Sequence, residues 1–154
     1  MPDLTFASTV RWQGRGRDGG GTVTTGGQTL DYSAPSSMGG RGLGTSPEEL
    51  LVSAVASCYS GTLFHLLARD GLPADDVAVD AVGVVIDHPS RAARFSRIVV
   101  NPTITGADSG RLPGYQACAR VARDHCFIGA ALHTAIDYEV GEVRVRSRAP
   151  EVAQ

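Results

Sequence analysis

The chain has 154 residues, 42% of them hydrophobic and 19% charged, and a formal net charge of −2; this is ordinary for one soluble globular domain and gives no electrostatic case for nucleic acid. All 14 basic residues are arginine, so a lysine Schiff base and a P-loop lysine are both excluded. Three cysteines in a chain that starts MPDLTFASTVRWQG, without the apolar core of a signal peptide, argue against a structural disulfide framework and leave thiol chemistry open.

No strongly apolar run is long enough to span a bilayer, so a cytoplasmic protein without membrane contact is expected. Residues 4–12 alternate loosely and predict a first strand. The stretch GRGRDGGG, residues 14–21, reads as a turn carrying Arg15 and Arg17. Its glycines resemble a phosphate loop only weakly, because no helix start follows them. Residues 22–25 and 28–33 flank Gly26-Gly27 and predict a hairpin with a two-residue turn. Residues 34–44 read as a flexible approach to what comes next, so residues 1–43 form a region of strands and glycine-rich loops.

A long helix is predicted over residues 46–70. Ser46 is a good N-cap, Pro47 suits the first helical position, and Glu49 completes a capping-box pattern, with Glu48 and Glu49 at the favourable positive end. Arg69, Gly71 and Pro73 supply a cation, a C′ glycine and a stop. The rod is roughly 35 Å long. Its apolar residues occupy more than one stripe, so cover is expected on several sides. Cys58 stands mid-helix, with Ala54, Ser57 and Gly61 leaving a groove beside its sulfur. On spacing alone it reads first as a small core residue.

Residues 77–87 and 95–105 are β-branched runs that predict two strands, the second alternating as Ile98, Val100 and Ile104. Arg91, Arg94 and Arg97 near their junction read as a solvated rim. Asp108 or Ser109 is placed to cap a helix over about 112–124, with Tyr115, Ala119 and Ala122 on its apolar side. Cys126 follows where that helix ends, CFIGAAL reads as a second short helical piece, and residues 110–133 form one helical region. Residues 134–146 alternate as a final strand through Ile136, Tyr138, Val140, Val143 and Val145, and the tail after them is expected to fray. This order is that of a single α+β domain with hairpin-like strand links.

The stretch GTSPEELLVSAVASCYSGTL resembles the G-T-N-P-E-E-L…A-A-C-F-S signature of the OsmC/Ohr family, the osmotically inducible and organic hydroperoxide resistance proteins. Its spacing of ten from Glu48 to Cys58 fits, and the resemblance extends to a second cysteine near 126 and the closing strand. It implies antiparallel sheets wrapped around long central helices in an intertwined homodimer. It also implies a thiol peroxidase without cofactor or metal, in which Cys58 is oxidised by an organic hydroperoxide and Cys126 closes a disulfide. By resemblance Arg17, with Arg15 as the alternative, and Glu48 form the network at the active cysteine. The resemblance further implies a dithiol reductant of lipoyl type. The P-E-E-L spelling leans toward the osmotically induced branch.

Cys58 needs a cation to stay ionised, and its helical neighbours at i±3 and i±4 offer none, so the cation has to come from elsewhere in the fold. Glu48 lies about 15 Å from Cys58 along a straight helix, so either the helix bends or two chains build the site. The sequence has C-F at Cys126-Phe127 where the family has C-P. Leu63, Phe64, Phe127 and Ile128 are candidate apolar walls for a bulky peroxide, and ordinary packing explains them equally well. Cys118 reads as structural. His65, about 10 Å along the helix from Cys58, is beyond reach of a dyad, and no histidine has metal-ligand spacing. The alternative is a non-catalytic small-molecule-binding protein of the same fold, with its cysteines as packing.

Overall fold

The computed structural model describes residues 1–148, and the expected frayed tail beyond them lies outside the described residues. The chain divides into two compact units, residues 1–51 and the part from Val52 onward.

The first unit holds an antiparallel sheet of β1 (Thr9–Gln13), β2 (Gly20–Thr25) and β3 (Gln28–Tyr32). The β2–β3 turn is the predicted one, because Gly26 and Gly27 both take positive φ, 54° and 76°, as a tight hairpin with right-handed twist requires. Strand β1 begins at Thr9 rather than at residue 4. Its partner β2 ends at Thr25, opposite which no ladder remains to pair the preceding residues. GRGRDGGG makes a single 3-10 turn, Gly16–Asp18, and runs straight into β2. The approach 34–44 is tied rather than free. Buried Ser33 donates from Oγ to the Leu43 carbonyl at 2.9 Å and accepts from the Leu43 N–H at 2.8 Å, while Gly40 and Gly42 donate back to Pro35 and Ala34.

Helix α1 (Pro47–Arg69) matches the predicted bounds to one residue at each end. Ser46 Oγ accepts from the Glu49 N–H at 3.2 Å. The reciprocal Glu49 side-chain bond is not formed among the described residues. The far end is a Schellman closure: Leu72 donates to the Leu67 carbonyl, Gly71 (φ 63°) donates to Ala68, and Leu72 and Leu67 are both buried.

In the second unit α1 buries one stripe, Val55, Tyr59, Leu63, Leu66 and Leu67, rather than the several sides its composition offers. Ala54, Ser57, Gly61 and Phe64 face outward on the other side. By length and mean hydropathy α1 is long and apolar enough to cross a bilayer, contrary to the sequence expectation. Serine, glycine, threonine and cysteine interrupt its strongly apolar runs without lowering the average much. Core helices of soluble proteins meet the same criterion, and α1 carries one wall of this core.

Strands β4 (Asp76–Ile86) and β5 (Arg94–Thr105) pair antiparallel, with Ile98, Val100, Pro102 and Ile104 buried on one face of β5. Gly83 lets Val52 of α1 and Phe95 close over the sheet. Asp108 caps a 3-10 turn by accepting from the Gly110 N–H at 3.0 Å; α2 (Leu112–His125) follows, burying Tyr115, Cys118, Ala119 and Ala122. The predicted short helical piece is α3 (Phe127–Leu132).

The final stretch departs from expectation in two ways. It forms β6 (Asp137–Val140) and β7 (Arg144–Arg146) rather than one strand, and both run parallel to β5, so the sheet is mixed rather than antiparallel. The break has a physical cause. Between the β6 and β7 pairings, β5 presents Asn101 and Pro102, and proline has no N–H for a neighbouring strand. Asn101 Oδ1 instead accepts the Glu142 N–H at 2.9 Å, and Gly141 donates to the Val100 carbonyl at 2.9 Å. The pairing offset then grows by one residue, from Val100 opposite Val140 to Thr103 opposite Arg144. A parallel return is what a helical crossover between strands supplies.

Replacing Ser46 by Ala removes the cap of α1 and is expected to lower unfolding stability by about 1 kcal/mol. A urea titration should show the midpoint fall without a change in slope.

Candidate active site

Cys58 lies in the middle of α1, half-buried. Beside it Ala54, Ser57 and Gly61 are exposed, and a Cβ added at Gly61 would meet nothing within 4 Å. Helix continuity there is reinforced by Thr62 Oγ1, which donates to the Cys58 carbonyl at 2.9 Å.

Cys126 is where α2 stops and α3 starts, as the C-cap of one and N-cap of the other. It is fully buried, and its Sγ donates to the Val55 carbonyl at 3.8 Å, one helical turn from Cys58. The Cys58 thiol is a close neighbour of the Cys126 thiol. Residues 68 positions apart, 58 and 126, are thus joined by the crossing of α1 and α2, which Tyr59 pins by donating its hydroxyl to the Ala119 carbonyl at 3.0 Å.

Burial pushes the Cys126 thiol above its ordinary value. The Tyr138 hydroxyl and the Gly129 N–H act in the opposite direction, and the neighbouring Cys58 thiol adds to the rise. Tyr138 was visible in sequence only as one member of the alternating row Ile136, Tyr138, Val140. Its signal was a polar tip in an inward-facing apolar row. The Tyr138 oxygen is buried without a partner of ordinary hydrogen-bond geometry, its polar neighbour being the Cys126 sulfur.

Cys118 is buried on the core face of α2, and burial, with the charge of Asp70, pushes its thiol up to about 11. Phe127 stands at the first position of α3, where proline is also well suited, so the C-F for C-P exchange keeps the helix start. The four predicted apolar walls do not come together as one wall. Leu63 is fully buried as core, Ile128 is half-buried, and Phe127 is 70% exposed. Phe64 borders a cavity of about 300 Å³ with Leu72 and Pro73 near the C-terminal end of α1. Helical spacing alone could not say which side of α1 its own chain covers.

In the first unit, Arg17 is exposed and lays its guanidinium over Gly39, whose positive φ of 77° and missing side chain admit it. Arg15 is exposed as the N-cap of the 3-10 turn. Glu48 keeps one carboxylate oxygen, Oε2, buried without a hydrogen-bond partner among the described residues. No ion pair joins Glu48 to Arg17 or Arg15 among the described residues. Also among the described residues, no group of three or more His, Cys, Asp and Glu side chains is arranged to hold a metal.

A family model described as OsmC-like protein matches residues 39–141. The chain is 26% identical over 144 residues to the Bacillus subtilis protein YmaD, covering 91% of this chain and 94% of that one. Two solved structures share the fold. One is an organic hydroperoxide resistance protein OsmC from Legionella pneumophila (TM-score 0.72, 22% identity, 94% of this chain and 99% of that one). The other is an OsmC-like protein of unknown function from Vibrio cholerae (TM-score 0.74, 16% identity, 92% and 99%).

The raised Cys118 thiol gives a pH prediction. The folded protein holds that proton up to about pH 11, whereas an unfolded thiol releases it near 9.0, so unfolding releases a proton in between and stability falls as pH rises through this window. Cys118→Ala should flatten that part of the alkaline decline in a series of denaturant titrations from pH 8 to 11.

Proposed function

The chain belongs to the OsmC-like family, and from that premise we propose that it is a homodimeric cysteine peroxidase reducing organic hydroperoxides to alcohols. One observation carries the reading: the Cys58 and Cys126 thiols are neighbours, one half-buried and the other buried. A packing cysteine needs no second thiol at its side, whereas a two-step peroxidase does. The Legionella protein of the same fold, described as an organic hydroperoxide resistance protein, supports the substrate class.

In the first step the Cys58 thiolate attacks the terminal oxygen of the hydroperoxide. The sulfur–oxygen bond forms, the oxygen–oxygen bond breaks, and the alkoxide leaves as alcohol after taking a proton. Cys58 is thereby oxidised to the sulfenic acid. In the second step the Cys126 sulfur attacks Cys58, the disulfide forms, and hydroxide departs with the Cys126 proton as water. A dithiol of lipoyl type then returns two electrons and reopens the bridge. Arg17 is assigned the role of holding Cys58 ionised, and Glu48 that of orienting the guanidinium. The unpartnered buried oxygen of Glu48 supports this, being an acceptor in need of a donor.

Exposed apolar side chains support the homodimer. Val10, Trp12 and Leu30 lie exposed on the N-terminal sheet, and α1 presents Phe64 beside small residues that permit close helix approach. Reduced thiols ready to cycle suit the cytoplasm.

Reduced protein mixed with cumene hydroperoxide should consume it. Cys58→Ser should lower the rate by more than about 10³-fold, and Cys118→Ser should leave it unchanged. Wild type no faster than Cys58→Ser would make the protein a binding module instead. Light scattering should return twice the 16.1 kDa chain mass; a monomer would contradict the assembly.

A further inference from the structure

Beside the buried sulfur of Cys126 lies a buried hydroxyl, that of Tyr138, with no hydrogen-bond partner among the described residues. Strand β6 runs parallel beside β5, with Tyr138 opposite Ile98, and this register turns the tyrosine ring onto α3. There it rests on Gly129, where an added Cβ would come within 2.6 Å of ring atom Cδ1, so the ring occupies the space of the missing side chain. The hydroxyl ends in the interior beside Cys126 without another partner. The Cys126 S–H is given to the Val55 carbonyl, so the sulfur lone pairs are free for a donor once the thiol ionises. Tyr138, and not Cys126, lines the adjoining cavity of about 400 Å³ together with Arg123, Asp124, His133 and Asp137.

We propose that Tyr138 is a positioning residue for disulfide closure: its buried, unpartnered hydroxyl donates to Cys126 Sγ once that sulfur becomes a thiolate and holds it toward Cys58. This rests on the peroxidase reading given above. Closure joins Cys126 sulfur to Cys58 sulfur and breaks the Cys58 sulfur–oxygen bond, with hydroxide leaving and taking the Cys126 proton. The Tyr138 proton is not consumed.

The electrostatics run in the same direction. Burial opposes ionisation of Cys126, and the strongest opposing influence is the Tyr138 hydroxyl. Burial also pushes the Tyr138 hydroxyl above its ordinary value, so it remains a donor throughout the working range. The titratable groups facing Cys126 are Cys58 and Tyr59 from α1 and Tyr138 from β6. Its own segment carries Arg123, half-buried, and Asp124 and His125, both exposed, while His133 lies at the end of α3. None of these replaces a donor aimed at the sulfur.

Tyr138→Phe keeps the ring on Gly129 and deletes only the hydroxyl. Reduced wild type and variant, each given one equivalent of cumene hydroperoxide, are quenched over time with dimedone and N-ethylmaleimide and analysed by mass spectrometry. Cys58 sulfenic acid formation is the internal reference. The ratio of closure rate to oxidation rate should fall about tenfold at pH 7, and the deficit should shrink as pH rises and supplies thiolate without help. Closure at the wild-type ratio, or a deficit equal at every pH, would overturn the role. A wild type that loses peroxide without ever forming the Cys58–Cys126 bridge would overturn it together with the reading beneath it, and that outcome is distinguished by the wild-type sample alone.

Discussion

Two sulfur atoms meet because one helix is long and another breaks. Helix α1 carries Cys58 mid-rod, and α2 ends at Cys126, whose sulfur lies against the Val55 carbonyl a turn away from Cys58. Tyr59, fully buried, fastens the two helices by its bond to Ala119. The same crossing that builds the core therefore sets the thiols side by side. Burial has an electrostatic cost for Cys126, whose thiol it pushes up, and the site answers with donors rather than with charge.

The sheet contributes through a single constraint on β5. Pro102 withholds a ladder donor, the Asn101 side-chain oxygen accepts the Glu142 N–H beside it, and the returning strand divides around Gly141. The β6 half, in parallel register, delivers Tyr138 to the interior beside Cys126. A Cβ on Gly129 would collide with that ring, so the short α3 and the strand are fitted to each other at the sulfur.

Much of this was legible before any coordinates. Ser46, Pro47 and Gly71 mark α1 because caps and stops are local chemistry, and Gly26-Gly27 marks the hairpin for the same reason. The faces of β5 and α2 followed from periodicity, with Ile98, Val100, Tyr115 and Ala119 buried as read. The direction of β6 and β7 was not legible, since alternation is the same in parallel and antiparallel strands. Nor was the fate of Leu63 and Phe64, adjacent in sequence, one wholly core and the other 42% exposed. The meeting of Cys58 with Cys126 came from family resemblance, because no local rule links positions so far apart. Tyr138 escaped notice because in sequence it is one more large residue in an alternating row.

The most direct measurement is peptide mapping of the protein after one equivalent of an organic hydroperoxide, with free thiols blocked before digestion. The account predicts one new crosslinked peptide pair joining Cys58 to Cys126, with Cys118 recovered as the blocked thiol. Recovery of Cys58 and Cys126 both as blocked thiols, or a bridge from Cys58 to Cys118, would contradict it.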